Sequence, residues 1–533
     1  MSRRFEIHAR TLSVLTFLSR ITGLARDAAL SRVFGVGIVT DAFSFAFMVP
    51  NLFRRLFGEG ALSSSFLPVY ARLDQSDPAA ARALARLVLS RLAIFLAGVC
   101  LLGEAILLIC WPSADQAPAL LSAQLVFILL PYMPLVCCVA LMGAVLQVHG
   151  RFGPTAAAPI ILNLFMVGAC IGLAPSAMRF MGFAQVDSHT HIAVVAISVI
   201  IAGIVQCFWS WRALRSLNLQ PSAVTPVARE SFWHVVKQAA PMALGLGVLQ
   251  INTFVDGLIA SYPTLVGATI FGIAYPLAEG SMGSLAFAQR LYEFPLGVFG
   301  ISIATAIFPQ LAREAHNLPA FCASLSRAMR LVMFIGLPAS AGLIMLRTPL
   351  TAAVFQGGDF TIDDTARVAT ILMAFAPAIW AYSANHVLTR AFYARGETMT
   401  PVKISVSMVL LNFLLNITLI WTPLGTAGLA LSTAFCAVVQ MIWMQHVLSQ
   451  RIGTVITSEV RASWVRTAII TALMVAALAA AMQFTPADSS WSTMVWTLAI
   501  LTTIGGGVVA ALAHLIKMPE LRWALGRASK SPA

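Results

Sequence analysis

Apolar stretches of about twenty residues recur along the whole chain, separated by short polar connections. A helix needs roughly 20 mostly apolar residues to cross a bilayer. Fourteen stretches qualify: 11–34, 38–62, 86–111, 120–148, 155–175, 191–213, 233–262, 282–311, 324–348, 366–393, 402–422, 425–449, 462–484 and 491–516. Pro50, Pro131, Pro241, Pro295 and Pro377 interrupt five of them. Such breaks survive in a membrane where neighbouring helices or a water-filled cavity satisfy the freed backbone groups. The pattern predicts an all-α integral membrane protein. The connections are too short to hold a soluble core of their own.

Loop charge predicts the orientation, because Lys and Arg favour cytoplasmic loops. They gather in the N-terminal segment, in 63–85, 149–154, 214–232, 312–323, 394–401 and 450–461, and in the C-terminal tail. The opposite side holds only Arg32, Arg179, Arg347 and Arg367. Both termini are therefore expected in the cytoplasm. Arg20, Arg26 and Asp27 interrupt the first apolar run, which reads as a retained helix rather than a cleaved signal.

Composition narrows the class. The chain is 59% hydrophobic and 10% charged, with mean hydropathy +0.85, too apolar for a water-soluble protein. Its net charge of +13 is spread over many short loops, with no compact basic domain, so nucleic acid is excluded as a partner. The eight Cys form no CxxC pair and lie mostly in apolar runs, where a thiol is a small hydrophobe.

A weak repeat is visible. Shifted by 241 residues, Ala46–Arg72 falls on Phe287–Arg313 without a gap, and Phe53/Phe294, Pro68/Pro309, Ala71/Ala312 and Arg72/Arg313 coincide. Two six-helix lobes in the same orientation would be parallel repeats, which in transporters place the substrate near the midplane between them. The expected organisation is a first lobe, 1–215, a second lobe, 216–455, and a C-terminal helix pair with a basic tail, 456–533.

The first, second and eighth stretches keep charges that a membrane disfavours: Arg20, Arg26, Arg54, Arg55 and Arg290, with Asp27, Asp41, Glu59 and Glu293. Each costs roughly 2.5–3.5 kcal/mol near the bilayer centre on insertion scales. One reading is structural: the groups pair off or reach for the interface. It suits Arg32 with Asp41, near the outer surface. The other is a water-filled cavity that receives an anion. It suits Arg20, Arg26, Arg54 and Arg290, where positive charges exceed negative ones. Arg fits phosphate, because its planar fork binds two oxygens and stays charged. On a straight helix Arg20 and Asp27 share a face, while Arg26 lies well round from both. Gly23 offers a bend that would gather them.

The segments "SRITGLARD", "TDAFSFAFMVPNLFRRLFGEGALSSSFLPVY", "RLYEFPLGVFG", "FQGGDFT" and "FYARGETMTPVK" closely resemble the MurJ (MviN) family of lipid II flippases. That family belongs to the multidrug/oligosaccharidyl-lipid/polysaccharide exporter superfamily. The resemblance implies fourteen helices in two lobes plus a C-terminal pair that grooves a lipid tail. It implies movement of lipid II, the undecaprenyl-pyrophosphate-linked peptidoglycan precursor, between leaflets of the bacterial inner membrane. It places the functional arginines on Arg20, Arg26, Arg54 and Arg290, with Asp27 and Asp41 as further polar positions. The chain departs from the family in two places. Gln289 precedes Arg290 where relatives carry Asp, so Arg290 is expected to lean on Glu293. The connection Pro263–Gly283 is longer than usual and apolar, as a re-entrant or interfacial segment would be.

Asn412 and Asn416 share a helical face and, with Asp256 and Ser432, would make an oxygen cage for a coupling sodium ion. The competing reading is interhelical hydrogen bonding. No other cofactor is implied, and a monomer is expected. Three rival functions use the residues differently. A flippase for another polyprenyl-pyrophosphate glycan would need the same arginines. A multidrug antiporter would offer acidic and aromatic groups to a cation. An enzyme on the lipid pyrophosphate would need a carboxylate cluster, and Asp359, Asp363 and Asp364 read instead as a solvated turn.

Overall fold

The computed structural model describes residues 3–58, 61–113, 115–216, 225–486 and 488–525. In chain order the helices are α1 (Arg3–Phe34), α2 (Ile38–Phe53), α3 (Ala61–Ser76), α4 (Pro78–Ile109), α5 (Ala117–Leu129), α6 (Tyr132–Val148), α7 (Gly153–Gly172), α8 (Pro175–Phe180), α9 (Ser188–Arg215) and α10 (Pro226–Leu265). A hairpin, β1 (Thr269–Ile270) and β2 (Ile273–Ala274), follows. Then come α11 (Ser281–Pro295), α12 (Ile301–Arg313), α13 (Leu318–Met345), α14 (Arg347–Phe355), α15 (Ile362–Phe375), α16 (Ala378–Ala394), α17 (Met399–Leu419), α18 (Thr426–Ile452), α19 (Ser458–Met482), α20 (Trp491–Leu515) and α21 (Pro519–Ala524).

Every expected crossing coincides with a helix or a broken helix pair. Among the described residues ten spans, counting the broken pairs α5–α6 and α11–α12 as one each, are long and apolar enough to cross a membrane by themselves, and α15 with α16, bent by 41°, makes an eleventh. The other three are α1, α2 and α10, whose polar residues, or in α2 its 16-residue length, set them apart from a simple apolar crossing. The breaks fall where Pro131 and Pro377 were expected to place them. The proposed repeat has a structural counterpart: π-helical turns at Arg54–Gly58 and Leu296–Gly300 follow α2 and α11 at matching places.

Helix starts are set by local chemistry. Asp77 accepts from the amides of Ala79 and Ala80 at 3.1 and 3.0 Å, with Pro78 opening α4. Asp187 accepts from the Thr190 hydroxyl at 2.7 Å and the Thr190 amide at 2.9 Å, and these bonds hold its carboxyl below the usual carboxylate range. Asp364 is half of a capping box with Thr361. That accounts for the acidic turn as architecture.

The chain forms two compact units, Met1–Gly283 and Ser284–Ala533. This differs from the expected division at 215. Helix α10 packs against α2, α3 and α4, which holds it in the first unit. In that unit α1 lies along α7, α7 along α9, and α2 along α5, around Phe66, Tyr70, Leu84, Leu125 and Met133. The second unit is built on α13, which packs against α16 and α19, while α16 and α17 pack against α18. The C-terminal pair is not a separate body. Helix α19 packs on α13, and α20 on α14 and α19. Fully buried Glu520 of α21 accepts from Arg330 Nε at 2.6 Å and Ser463 Oγ at 2.7 Å. Outward-facing Ile94, Leu101, Leu108, Ile469, Trp496 and Ile500 are exposed, as lipid-facing positions should be.

The α13–α16 contact yields a paired prediction. A Cβ on Gly336 would sit 2.9 Å from the Trp380 Cα, whereas one on Gly342 would meet open space. Gly336→Ala is expected to destabilise by about 1–3 kcal/mol through overpacking. Gly342→Ala, on the same helix, should be neutral or stabilising by up to about 1 kcal/mol. Thermal unfolding in detergent separates the two.

Candidate functional site

In the first unit the centre is Arg26, 8% exposed on α1. Its Nε and Nη2 donate to a single oxygen, Oδ1 of Asp27, at 2.8 and 2.7 Å. Its Nη1 donates to Asn163 Oδ1 on α7 at 3.0 Å. The Asn163 amide is itself oriented from α1, donating to Thr22 Oγ1 at 3.1 Å and to the Ser19 carbonyl at 3.3 Å. The fork also lies 5.9 Å from the centre of the Phe47 ring. A guanidinium in low dielectric requires both charge balance and hydrogen bonds, and this arrangement supplies them from two helices.

The ion pair corrects the helical-wheel expectation that grouped Arg20 with Asp27. Neighbouring Cβ atoms diverge, but the long Arg26 side chain reaches back to Asp27. Helix α1 is continuous from Arg3 to Phe34. Its Gly23 leaves ordinary van der Waals room beside Asn163 Nδ2, at 3.5 Å from an added Cβ. Arg20 is exposed on α1.

Arg54 opens the π-helical turn, half-buried, and its Nε donates to Asn51 Oδ1 at 3.2 Å. Tyr132, buried at the start of α6, is within electrostatic reach of both Arg26 and Arg54, and Gln206 on α9 donates its Nε2 to the Ala158 carbonyl at 2.7 Å. Arg26 and Arg54 thus share one neighbourhood. The sequence reading missed Asn163, Tyr132 and Gln206. Asn163 did carry a signal, as a polar residue in the otherwise apolar "APIILNLF".

Asp41 does different work. It is fully buried, with Oδ1 accepting from the Gly283 amide at 2.7 Å and Oδ2 from the Gly280 amide at 2.7 Å and Thr264 Oγ1 at 3.1 Å. A carboxylate held by two backbone amides at a helix start is a cap. This geometry favours the structural reading of Asp41, which two backbone amides and the Thr264 hydroxyl engage.

In the second unit Arg290 is exposed on α11, its Nη1 3.5 Å from Glu293 Oε2. Gln289 donates to the other oxygen of Glu293 at 3.2 Å. The counter-charge is where the sequence reading put it, one helical turn on. Asp256 lies in the first unit, with Asn252 donating to it at 3.5 Å. In the second unit Asn416 donates to Asn412 Oδ1 at 2.9 Å, Asn412 to Ser432 Oγ at 3.3 Å, and Ser432 to Asn416 Oδ1. These bonds link the side chains of α17 and α18, as interhelical hydrogen bonding within a membrane does. His191, in the first turn of α9, is buried against Phe34 and bonded to the Ala169 carbonyl at 3.1 Å.

A family model described as lipid II flippase MurJ matches residues 30–518. A probable lipid II flippase MurJ of Vibrio cholerae is 30% identical over 536 residues, covering 97% of this chain and 96% of that protein. One of Haemophilus influenzae is 31% identical over 450 residues, covering 79% and 82%. A solved structure of lipid II flippase MurJ in an inward closed conformation superposes with TM-score 0.76 at 22% identity, over 97% of this chain and 100% of that one. An inward-facing multidrug resistance MATE family transporter of the MOP superfamily gives 0.64 at 14%, over 82% and 95%. At those identities the two structures speak for the fold alone.

Two stability predictions follow from the first unit. Asn163→Leu should cost about 1–3 kcal/mol by leaving a buried guanidinium N–H without its acceptor. Arg26→Met in the same chain should remove most of that penalty, so a double-mutant cycle by thermal unfolding should show coupling. Asp41→Ala should lower the unfolding temperature and show no coupling to Arg26→Met.

Proposed function

This chain belongs to the lipid II flippase MurJ family, and on that premise we propose that it carries lipid II from the inner to the outer leaflet of the bacterial cytoplasmic membrane, as a transporter and not an enzyme. The observation that carries the mechanism is the buried Arg26 fork, held by one carboxylate and one neutral amide in the neighbourhood of Arg54. Asn163 orients the fork without cancelling its charge. The pair Arg26 and Asp27 is close to neutral, and Arg54 and Arg20 are the further guanidinium groups this reading assigns to the site. A pyrophosphate is the complementary ligand, since it offers several anionic oxygens to planar forks. Within the second unit Arg290, beside Glu293, offers the same chemistry.

The head group crosses by alternating access while the polyprenyl tail stays in lipid. The pyrophosphate carries roughly two negative charges. Moving them outward from a negative interior is downhill by about 2.3 kcal/mol per charge per 100 mV. The return of an arginine-rich site moves positive charge inward, in the same favourable sense. In this reading both termini are cytoplasmic and the protein acts as a monomer.

Complementation tests it. In a bacterium depleted of its lipid II flippase, the wild-type chain is expected to restore growth. Arg26→Ala and Arg290→Ala, at matched membrane levels, are expected not to. Rescue by both mutants would make the arginines structural. A stable wild-type chain that fails to rescue would move the substrate to another polyprenyl-pyrophosphate glycan.

A further inference from the structure

The connection after α10 has no role in the mechanism above, yet it is built with care. Strands β1 and β2 pair antiparallel, Thr269 with Ala274 and Ile270 with Ile273, so the loop is the two residues Phe271 and Gly272. Both have positive φ, 49° and 79°. Two-residue loops of this hand favour Asn-Gly, and a bulky residue there is a true outlier. Phe271 is also 98% exposed. An aromatic side chain is thus held outside the protein on a backbone that disfavours it. Asparagine would suit both the turn and water better.

The stalk beneath it is firm. The Tyr262 and Tyr275 rings stack with centroids 4.2 Å apart. Tyr262 Oη donates to the Thr269 carbonyl at 3.1 Å, and Tyr275 Oη to the Ile259 carbonyl at 2.9 Å. The Tyr275 amide bonds the Ala268 carbonyl at 2.8 Å. No charged residue occurs between Asp256 and Glu279. The exposed apolar residues Ile251 and Leu258 run up α10, Val266 follows at its C-terminal cap, and Ile273 and Phe271 continue the series onto the hairpin. The outer face of a membrane-crossing helix therefore passes without a polar break onto the hairpin tip.

We propose that the 266–276 hairpin is an interfacial membrane anchor, with Phe271 seated among the head groups and upper acyl chains of the leaflet where α10 ends. Continuity with the lipid-facing surface of α10 selects lipid as the occupant, and paired tyrosines at the base suit the same zone. The proposal rests only on α10 being a membrane span, and not on the transported lipid.

The test is a nitroxide at position 271, introduced as Phe271→Cys together with Cys110→Ser, which removes an exposed thiol. The full chain is reconstituted in phosphatidylethanolamine–phosphatidylglycerol vesicles, with the Cys110→Ser chain as background. Power-saturation resonance is expected to show the label more accessible to oxygen than to a water-soluble nickel chelate. Greater nickel access would place the tip in water and overturn the proposal. So would an immobilised label screened from both, which would indicate a protein partner or a second copy. Phe271→Asn separates anchoring from folding. It should unfold in detergent at a temperature no lower than wild type, yet lose part of the stabilisation that vesicles give wild type. Equal unfolding temperatures of the two in vesicles would also overturn the proposal.

Discussion

A guanidinium inside a bilayer must carry its own solvent, and the first unit is arranged around that requirement. Removing one partner of a buried charged pair typically costs about 3–5 kcal/mol, a large share of a stability that seldom exceeds about 15 kcal/mol. Arg26 meets the requirement with Asp27 beside it and Asn163 on α7. The two partners are unequal in kind. The carboxylate balances the charge, whereas the amide only satisfies hydrogen bonds and fixes the plane of the fork. Because α1 and α7 share this network along their contact, the orientation of Arg26 is tied to the packing of two helices rather than to one rotamer.

The helix breaks follow the same economy of placement. A π-helical turn widens the coil and shifts carbonyls out of register, and such turns gather at functional sites. Here one begins at Arg54 and the other lies just beyond Arg290 and Glu293 on the related helix. Pro50 lies one helical turn before the first of these, and Pro295 directly precedes the second. The repeat is therefore more than a pattern of hydropathy. It carries the same irregularity twice, close to arginines in each unit.

Much of this was legible from periodicity and composition. The positions of the fourteen crossings, the Pro131 and Pro377 breaks, and Glu293 as the neighbour of Arg290 are all local properties, recorded within a few residues of chain. The contacts that escaped join residues far apart in sequence. Asn163 meets Arg26 across 137 positions, and Asp41 meets Gly283 across 242. No periodicity encodes such pairs. The pairing of Arg26 with Asp27 escaped for a different reason: a helical wheel tracks Cβ directions, and an arginine is long enough to defeat them. The unit boundary moved from 215 to 283 because α10 reads as the start of a repeat yet packs against α2, α3 and α4.

Few acidic residues are available to this chain, and their assignments differ in consequence. Asp41 and Glu520 are fully buried and engaged by groups that belong to the fold, amides and Thr264 for one, Arg330 and Ser463 for the other. Asp27 and Glu293 each sit beside an arginine on its own helix. A carboxylate of the first kind contributes stability that an incoming anion leaves untouched. One of the second kind lowers the local positive charge, and an anion must compete with it. A site for an anion that must be released on the far side benefits from that competition. Arginines with no counter-charge would hold a pyrophosphate too tightly to let it go, and arginines fully neutralised would not attract it. On the proposed function, incomplete neutralisation of the arginines is the electrostatic condition that would serve both loading and release.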